Sequence, residues 1–362
     1  MALRVQSEIN DSELRMLEAG SVPRRRLLIK ALSMLVISVS LFGLTVFGFD
    51  LLFSLYNHLP TNGIVGGKQY TWRHLVINNK YGFRERDFET PKPQGVYRVM
   101  VLGDSLTWGA GLDAEERYTA IAKKLLNKAF SGRKFEVLNF GIPGGPTTRE
   151  RDILEKFKRD VNPDLIVVGF CLNDPQPKRQ DWSIEREKLS KGIAGRAIDE
   201  ISRFLLGLGL PYPAKLLNDA FYRAAQKFGL IPDGLIALGR AYDTSSPEWQ
   251  EFVQALKDMK RTSDEMNLPP PIFAILNQGR PPQNNSEPNR AFELFSLWFH
   301  QAEKAAADIG FISYNHELEI AHQLRNESLV INKLDGHPSA SVNRIYGEKL
   351  YRVIAEQVLA QQ

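Results

Sequence analysis

From Tyr97 onward the chain alternates between two kinds of pattern. Continuous apolar runs, YRVMVLG at 97–103, FEVLNFG at 135–141 and DLIVVGF at 164–170, read as short buried strands. Between them, EERYTAIAKKLLNKAF (115–130) and TTRERDILEKFKRD (147–160) carry apolar residues at helical spacing. Strands apolar on both sides, separated by amphipathic helices, predict a parallel sheet with helices on both faces. The rhythm breaks after Asp174. Over about 178–245 no strand pattern emerges, and apolar clusters such as ISRFLLGLGL (201–210) predict a helical insertion. It then resumes with a helix from Pro247 to Met266, a strand PIFAIL (271–276), a helix from Pro288 to Ile309, a short strand FISYN (311–315) and a last helix from Ser339 to Gln362.

Upstream the pattern is different. Residues 31–49 contain no charge, and a helix of about 20 apolar residues spans a hydrocarbon core of about 30 Å. A cleaved signal peptide has a shorter apolar region of about 7–15 residues, so the sequence predicts an uncleaved transmembrane anchor over 31–55. Arg24, Arg25, Arg26 and Lys30 precede the span and Asp50 follows it. This asymmetry predicts a cytoplasmic tail over 1–30 and an extracytoplasmic remainder, periplasmic in a Gram-negative cell. The segment 56–95 is aromatic, polar and turn-rich, and is read as irregular structure on the edge of a domain covering 96–362. The stretch 201–236, with strong helical spacing but two prolines, is read as a helical subdomain packed on the core or, alternatively, as a lid or membrane-facing surface.

Composition narrows the classes. With 43% hydrophobic and 24% charged residues the chain is ordinary globular material. A net charge of +4, part of it concentrated beside the membrane segment, argues against nucleic acid as a partner. One cysteine, Cys171, excludes an internal disulfide and a multi-cysteine metal cluster; its side chain is read as a small apolar filler. Neither a P-loop, nor H-E-x-x-H, nor G-x-S-x-G occurs.

In an open parallel sheet, ligands bind beyond the carboxyl ends of the strands. Asp104 and Ser105 follow the first strand, Asn139, Gly141 and the IPGG loop the second, and Asn173 and Asp174 the third; Asp335 and His337 come just before the last helix. A serine hydroxyl becomes a useful nucleophile when a base takes its proton and a third group orients that base. His337 and Asp335 supply those types. The backbone N–H of Ser105, a backbone N–H at Gly141 and the amide of Asn173 are available oxyanion donors. Each residue also has a plain structural reading: Ser105 as a helix N-cap, Asn173-Asp174-Pro175 as a turn, Gly141 to Gly145 as a bend, and His337 as a surface residue.

Taken together, GDSLTWGAG, LNFGIPG, GFCLNDP and DGHPSA resemble, in order, the four blocks of the SGNH/GDSL hydrolase family. NNKYGFRERD looks like the lead-in of its membrane-anchored members. The resemblance implies a flavodoxin-like three-layer α/β/α sandwich and acyl-ester chemistry without a cofactor or metal. It implies Ser105 as nucleophile, His337 as general base, Asp335 as the orienting acid, and Ser105, Gly141 and Asn173 as the oxyanion hole. Two departures stand out: the acid is two residues before the histidine, with Leu334 where many members carry it, and Val342-Asn343 replaces a Gly-His. Three functions follow as expectations: an anchored esterase acting on an acylated glycan or lipid, an O-acyltransferase using the same residues, or an inactive binding component.

Overall fold

The computed structural model describes residues 11–57, 63–65, 68–72, 74–176, 187–231, 234–277, 290–324, 327–332 and 335–361. The chain opens with helix α1 (Asp11–Asn57), followed by three short strands, β1 (Gly63–Val65), β2 (Lys68–Thr71) and β3 (His74–Leu75). The main body runs β4 (Val96–Gly103), the single turn α2 (Ser105–Trp108), α3 (Tyr118–Ala129), β5 (Lys134–Gly141), α4 (Thr147–Val161) and β6 (Leu165–Phe170). Three helices then intervene, α5 (Ile193–Gly207), α6 (Pro211–Lys227) and α7 (Gly234–Ala241). The body resumes with α8 (Pro247–Glu265), β7 (Ile272–Ile275), α9 (Arg290–Ile309), β8 (Ile312–Asn315), α10 (Glu317–Gln323), β9 (Val330–Asn332), β10 (Asp335–Pro338) and α11 (Ala340–Val353).

The five main strands pair in the order β5-β4-β6-β7-β8, all parallel. Chain order thus reverses around β4, which makes the crevice at its carboxyl end the topological switch point of a doubly wound sheet. Alternation along the strands sorts the core into two layers. Met100, Leu102, Phe140, Val168 and Phe273 face α4, α8 and α9, while Val99, Val101, Val137, Val167 and Ala274 face α3 and α11. Every residue of β4 is buried, as expected for a central strand covered on both sides. The fold is the flavodoxin-like α/β/α sandwich.

Four readings of the sequence are revised or bounded. The lead-in is not wholly irregular: β1, β2 and β3 form a small antiparallel sheet, whose strands of two to four residues are too short to leave a period. Asp335 and His337, expected just before the last helix, lie on a strand there: β9 and β10 form a hairpin with a register shift between Asp335 and Pro338. The start of the insertion (177–186) and of the helix expected from Pro288 lie outside the described residues. The helix expected over 31–55 is longer, and within it Arg26–Leu52, with mean hydropathy 2.2, is long and apolar enough to cross a membrane.

What seats the functional end of the sheet is a row of glycines. Gly103 pairs in register with Gly141 on one side and Gly169 on the other, and α2 lies across all three. A Cβ on Gly141 would sit 2.3 Å from the backbone nitrogen of Trp108, and one on Gly169 would sit 2.5 Å from Thr107 Oγ1. A neighbour that is backbone cannot rotate aside. Gly141→Ala is therefore expected to lower stability by about 1–3 kcal/mol, the usual cost of overpacking, read as a drop in Tm; an unchanged Tm would mean that α2 does not press on this row.

Candidate active site

Ser105 is the first residue of α2, one residue beyond Asp104 and two beyond the glycine that ends β4. The N-cap role that it could have filled belongs to its neighbour: Leu106 N–H donates to Asp104 Oδ1 at 2.8 Å. The serine hydroxyl is thereby left for other partners, with His337 Nε2 at 2.9 Å and Asp104 Oδ2 at 3.1 Å. Behind the imidazole, His337 Nδ1 bonds Asp335 Oδ1, and the backbone N–H of His337 donates to the same oxygen at 3.0 Å. With the Nδ1 proton held by the carboxylate, the Nε2 lone pair faces Ser105. The spacing of two residues between acid and histidine is accommodated by the irregular β9–β10 hairpin.

Trp72 is a partner that sequence reasoning did not single out. It lies in the lead-in, is buried, adopts φ +48°, and donates its indole N–H to the other oxygen of Asp335. Both carboxylate oxygens of Asp335 are thus occupied by donors. Neighbouring lead-in residues fasten the loop after α2: Gly111 N–H donates to Thr71 Oγ1 at 2.7 Å, and the Arg84 guanidinium donates to the carbonyls of Gly109 and Leu112 at 2.7 Å each. The one signal in the sequence was a Trp amid polar residues, which carries no hint of a partner 263 positions away.

The electrostatics follow from this arrangement. Burial works to raise the Asp335 pKa, but the His337 hydrogen bond and charge, with the Trp72 N–H, override it and hold the carboxyl down at about 2. Burial works to lower the His337 pKa, yet the Asp335 hydrogen bond and charge, helped by Asp104, leave it above its ordinary value. Beneath the serine lie Asp104, Asp174, Glu150 and Cys171, all buried. Burial first, then repulsion between the carboxylates, pushes Asp174 and Glu150 well above the usual carboxylate range. Among the described residues neither oxygen of Glu150 has a hydrogen-bond partner, a situation far less costly for a neutral acid than for an anion.

Asn173 stands after β6 with its Nδ2 at 3.3 Å from Asp104 Oδ2. Cys171 is more than a filler: its thiol lies 2.7 Å from Asn173 Oδ1 and 3.0 Å from Asp104 Oδ2, which fixes which face of the Asn173 amide carries its donors. Burial, and then the nearby Asp104 and Asp174, push the thiol pKa well up, so it stays protonated. Asp104, Cys171 and Asp174 bring potential ligand atoms within 4.8 Å of one another. Each already has an internal partner, however, with Asp174 Oδ2 accepting the Cys171 N–H at 2.9 Å, and the trio serves as a hydrogen-bonded buttress.

Gly141 stands differently from the sequence expectation. Its N–H donates to Asn139 Oδ1 at 2.9 Å, inside the protein, so it is not free to meet an oxyanion in this arrangement. The close approach of α2 accounts for a glycine there. On the same loop Gly144, at φ +70°, has an N–H with no acceptor among the described residues. The Ser105 N–H, on the first turn of α2, is likewise uncommitted among the described residues. A cavity of about 600 Å³ lined by Arg84, Arg117 and Lys123 touches none of Ser105, His337, Asp335 or Asn173. Two other described histidines are engaged elsewhere: His316 is buried with Nδ1 on the Ile275 carbonyl, and His300 bonds the Ser296 carbonyl in its own helix.

The model of the GDSL-like lipase/acylhydrolase family matches residues 101–345. Among solved structures, the acetylxylan esterase Axe2 from Geobacillus stearothermophilus is similar at 14% identity over 71% of this chain and 94% of its own, with a TM-score of 0.40. The structure named TesA is similar at 16% identity, over 71% and 97%, with a TM-score of 0.38. The acetyl xylan esterase AlAXEase is similar at 15% identity, over 71% and 99%, with a TM-score of 0.40. No curated protein matches the chain. With about two thirds of its length matched and a serine at the carboxyl end of the switch-point strand, this chain belongs to the GDSL-like lipase/acylhydrolase family of serine ester hydrolases.

Proposed function

We propose that the chain is a serine esterase held at the outer face of a membrane by α1, cleaving an acyl ester carried on a glycan or a lipid. The observation that carries this reading is the unbroken hydrogen-bonded chain from Ser105 through His337 to Asp335, three groups drawn from opposite ends of the domain. The serine oxygen attacks the ester carbonyl as its proton passes to His337 Nε2. Asp335, an anion down to pH about 2, stabilises the imidazolium that forms. That imidazolium then protonates the departing alcohol, and water repeats the sequence to release the acid.

The oxyanion formed on attack needs donors already in place, each worth about 2.7–4 kcal/mol when removed. In this reading they are the Ser105 N–H, Asn173 Nδ2 and, in place of Gly141, the uncommitted N–H of Gly144. Trp72 acts through Asp335 as a positioning residue, fixing the carboxylate by its second oxygen. Anchoring is supported by the length and apolarity of Arg26–Leu52, and an outer location by the cluster Arg24, Arg25, Arg26 and Lys30 ahead of it.

Ser105→Ala is expected to lower hydrolysis of a short-chain aryl ester more than about 10³-fold with the fold intact; near-wild-type turnover would remove Ser105 from the nucleophile's role. Analysis of products in the presence of an oligosaccharide acceptor decides between the two acyl fates: free acid is expected, and acylated sugar in excess would make the chain a transferase. Trp72→Phe is expected to lower kcat about 10-fold, the size of one hydrogen bond to a charged group, with KM unchanged. A merely structural Trp72 would lower Tm and leave the kcat of the folded fraction alone. Because His337 must be neutral to accept a proton and its pKa is raised, kcat/KM should fall as the pH drops through a value above about 6.5, the ordinary histidine value. An acidic limb below that value would contradict the Asp335 pairing.

A further inference from the structure

We propose that the bend between α5 and α6 is a second membrane contact, with Phe204, Leu206 and Leu208 seated in the headgroup boundary of the bilayer that α1 crosses. This rests on the reading of α1 as a membrane anchor. Two observations lead to it. The first is where the bend is fastened. The N–H of Tyr212, in the first turn of α6, donates to Asp50 Oδ1 of α1 at 3.2 Å, and both residues are buried at this junction. The N-cap residue of α6, Leu210, offers no side-chain acceptor, so α1 supplies the acceptor that the first turn of α6 lacks. Asp50 is two residues before the end of the apolar stretch Arg26–Leu52, which is about 3 Å along a helix. The bend is therefore tied to α1 at the level where hydrocarbon gives way to headgroups.

The second observation is what the bend presents. Inward, Leu210, Tyr212 and Ala214 are buried and Asn218 Nδ2 donates to Ser202 Oγ at 2.9 Å, which locks α5 against α6. Outward, within a single short stretch of chain, Phe204 is 65%, Leu206 53% and Leu208 57% exposed. The hairpin thus has its own interior contact and still shows three large apolar side chains. On α1, within three residues of Asp50, Phe47, Phe49 and Leu52 are also exposed, so apolar side chains stand free on both elements that this junction joins. Arg203, exposed on the adjoining turn, has the chemistry to meet lipid phosphates. Interfacial elements bury apolar side chains about 5–10 Å into this boundary. A bilayer is the partner that supplies such an environment on the side where α1 leaves it, and the catalytic domain is then held at two points.

The full chain provides its own control for a test, since the single native cysteine is buried and an introduced cysteine can be labelled selectively. Leu208→Cys, Val39→Cys and Glu251→Cys would each carry an environment-sensitive NBD probe, in full-length protein reconstituted into phosphatidylcholine–phosphatidylglycerol vesicles, with doxyl quenchers at shallow and deep acyl positions. The expected result is strong quenching at 208 by the shallow quencher, at 39 by the deep one, and none at 251. Adding Asp50→Ala should reduce quenching at 208 and leave 39 unchanged. A solvent-like probe at 208 beside a deeply quenched probe at 39 overturns the second contact and leaves the anchor standing. An unquenched probe at 39 overturns the anchor and with it the second contact, whatever is seen at 208.

Discussion

The whole site depends on how closely one turn of helix can approach three strand ends. Gly103, Gly141 and Gly169 stand side by side at the carboxyl edge of the sheet, and α2 fills the space that side chains there would occupy. This brings Ser105 to the switch point of the sheet with Asp104 capping the turn beneath it. Gly141, which reads in sequence as a donor to substrate, is better explained by this packing, and its N–H is spent on Asn139. A glycine at a catalytic edge can be required for steric reasons alone.

Around that turn, the geometry joins segments far apart in the chain. The β9–β10 hairpin supplies the imidazole and carboxylate, and the lead-in supplies the indole that holds the carboxylate's second oxygen. The lead-in also binds the loop after α2 through Thr71 and Arg84. The stretch between α1 and the sheet is thus part of the site's scaffold. Charge is managed in the same spirit: one carboxylate, Asp335, is held below the usual range by donors on both oxygens, and burial pushes Asp174 and Glu150 above it.

The sequence made the main sheet legible because its central strands are apolar on both faces and leave unbroken runs such as VMVL and LIVV. Ser105, His337 and Asp335 were legible as types in the right order, and the structure brings all three together. The edges were not legible. β1–β3 and β9–β10 are short pairs whose hydrogen bonds leave no period. The bond between Trp72 and Asp335 depends on tertiary placement alone, and the thiol of Cys171 looked apolar until its neighbours Asn173 and Asp104 were in view. Local propensity speaks for what a segment forms, and contacts between distant segments answer to packing.

The most direct measurement of the central claim is to label the nucleophile covalently. The full-length protein is incubated with a fluorophosphonate probe and digested, and the modified peptide is identified by mass spectrometry. A single adduct on the peptide carrying Ser105, lost when His337 is replaced by Ala, is the result expected from the hydrogen-bonded chain. An adduct on another serine, or ester hydrolysis that continues with Ser105 unmodified, would contradict it.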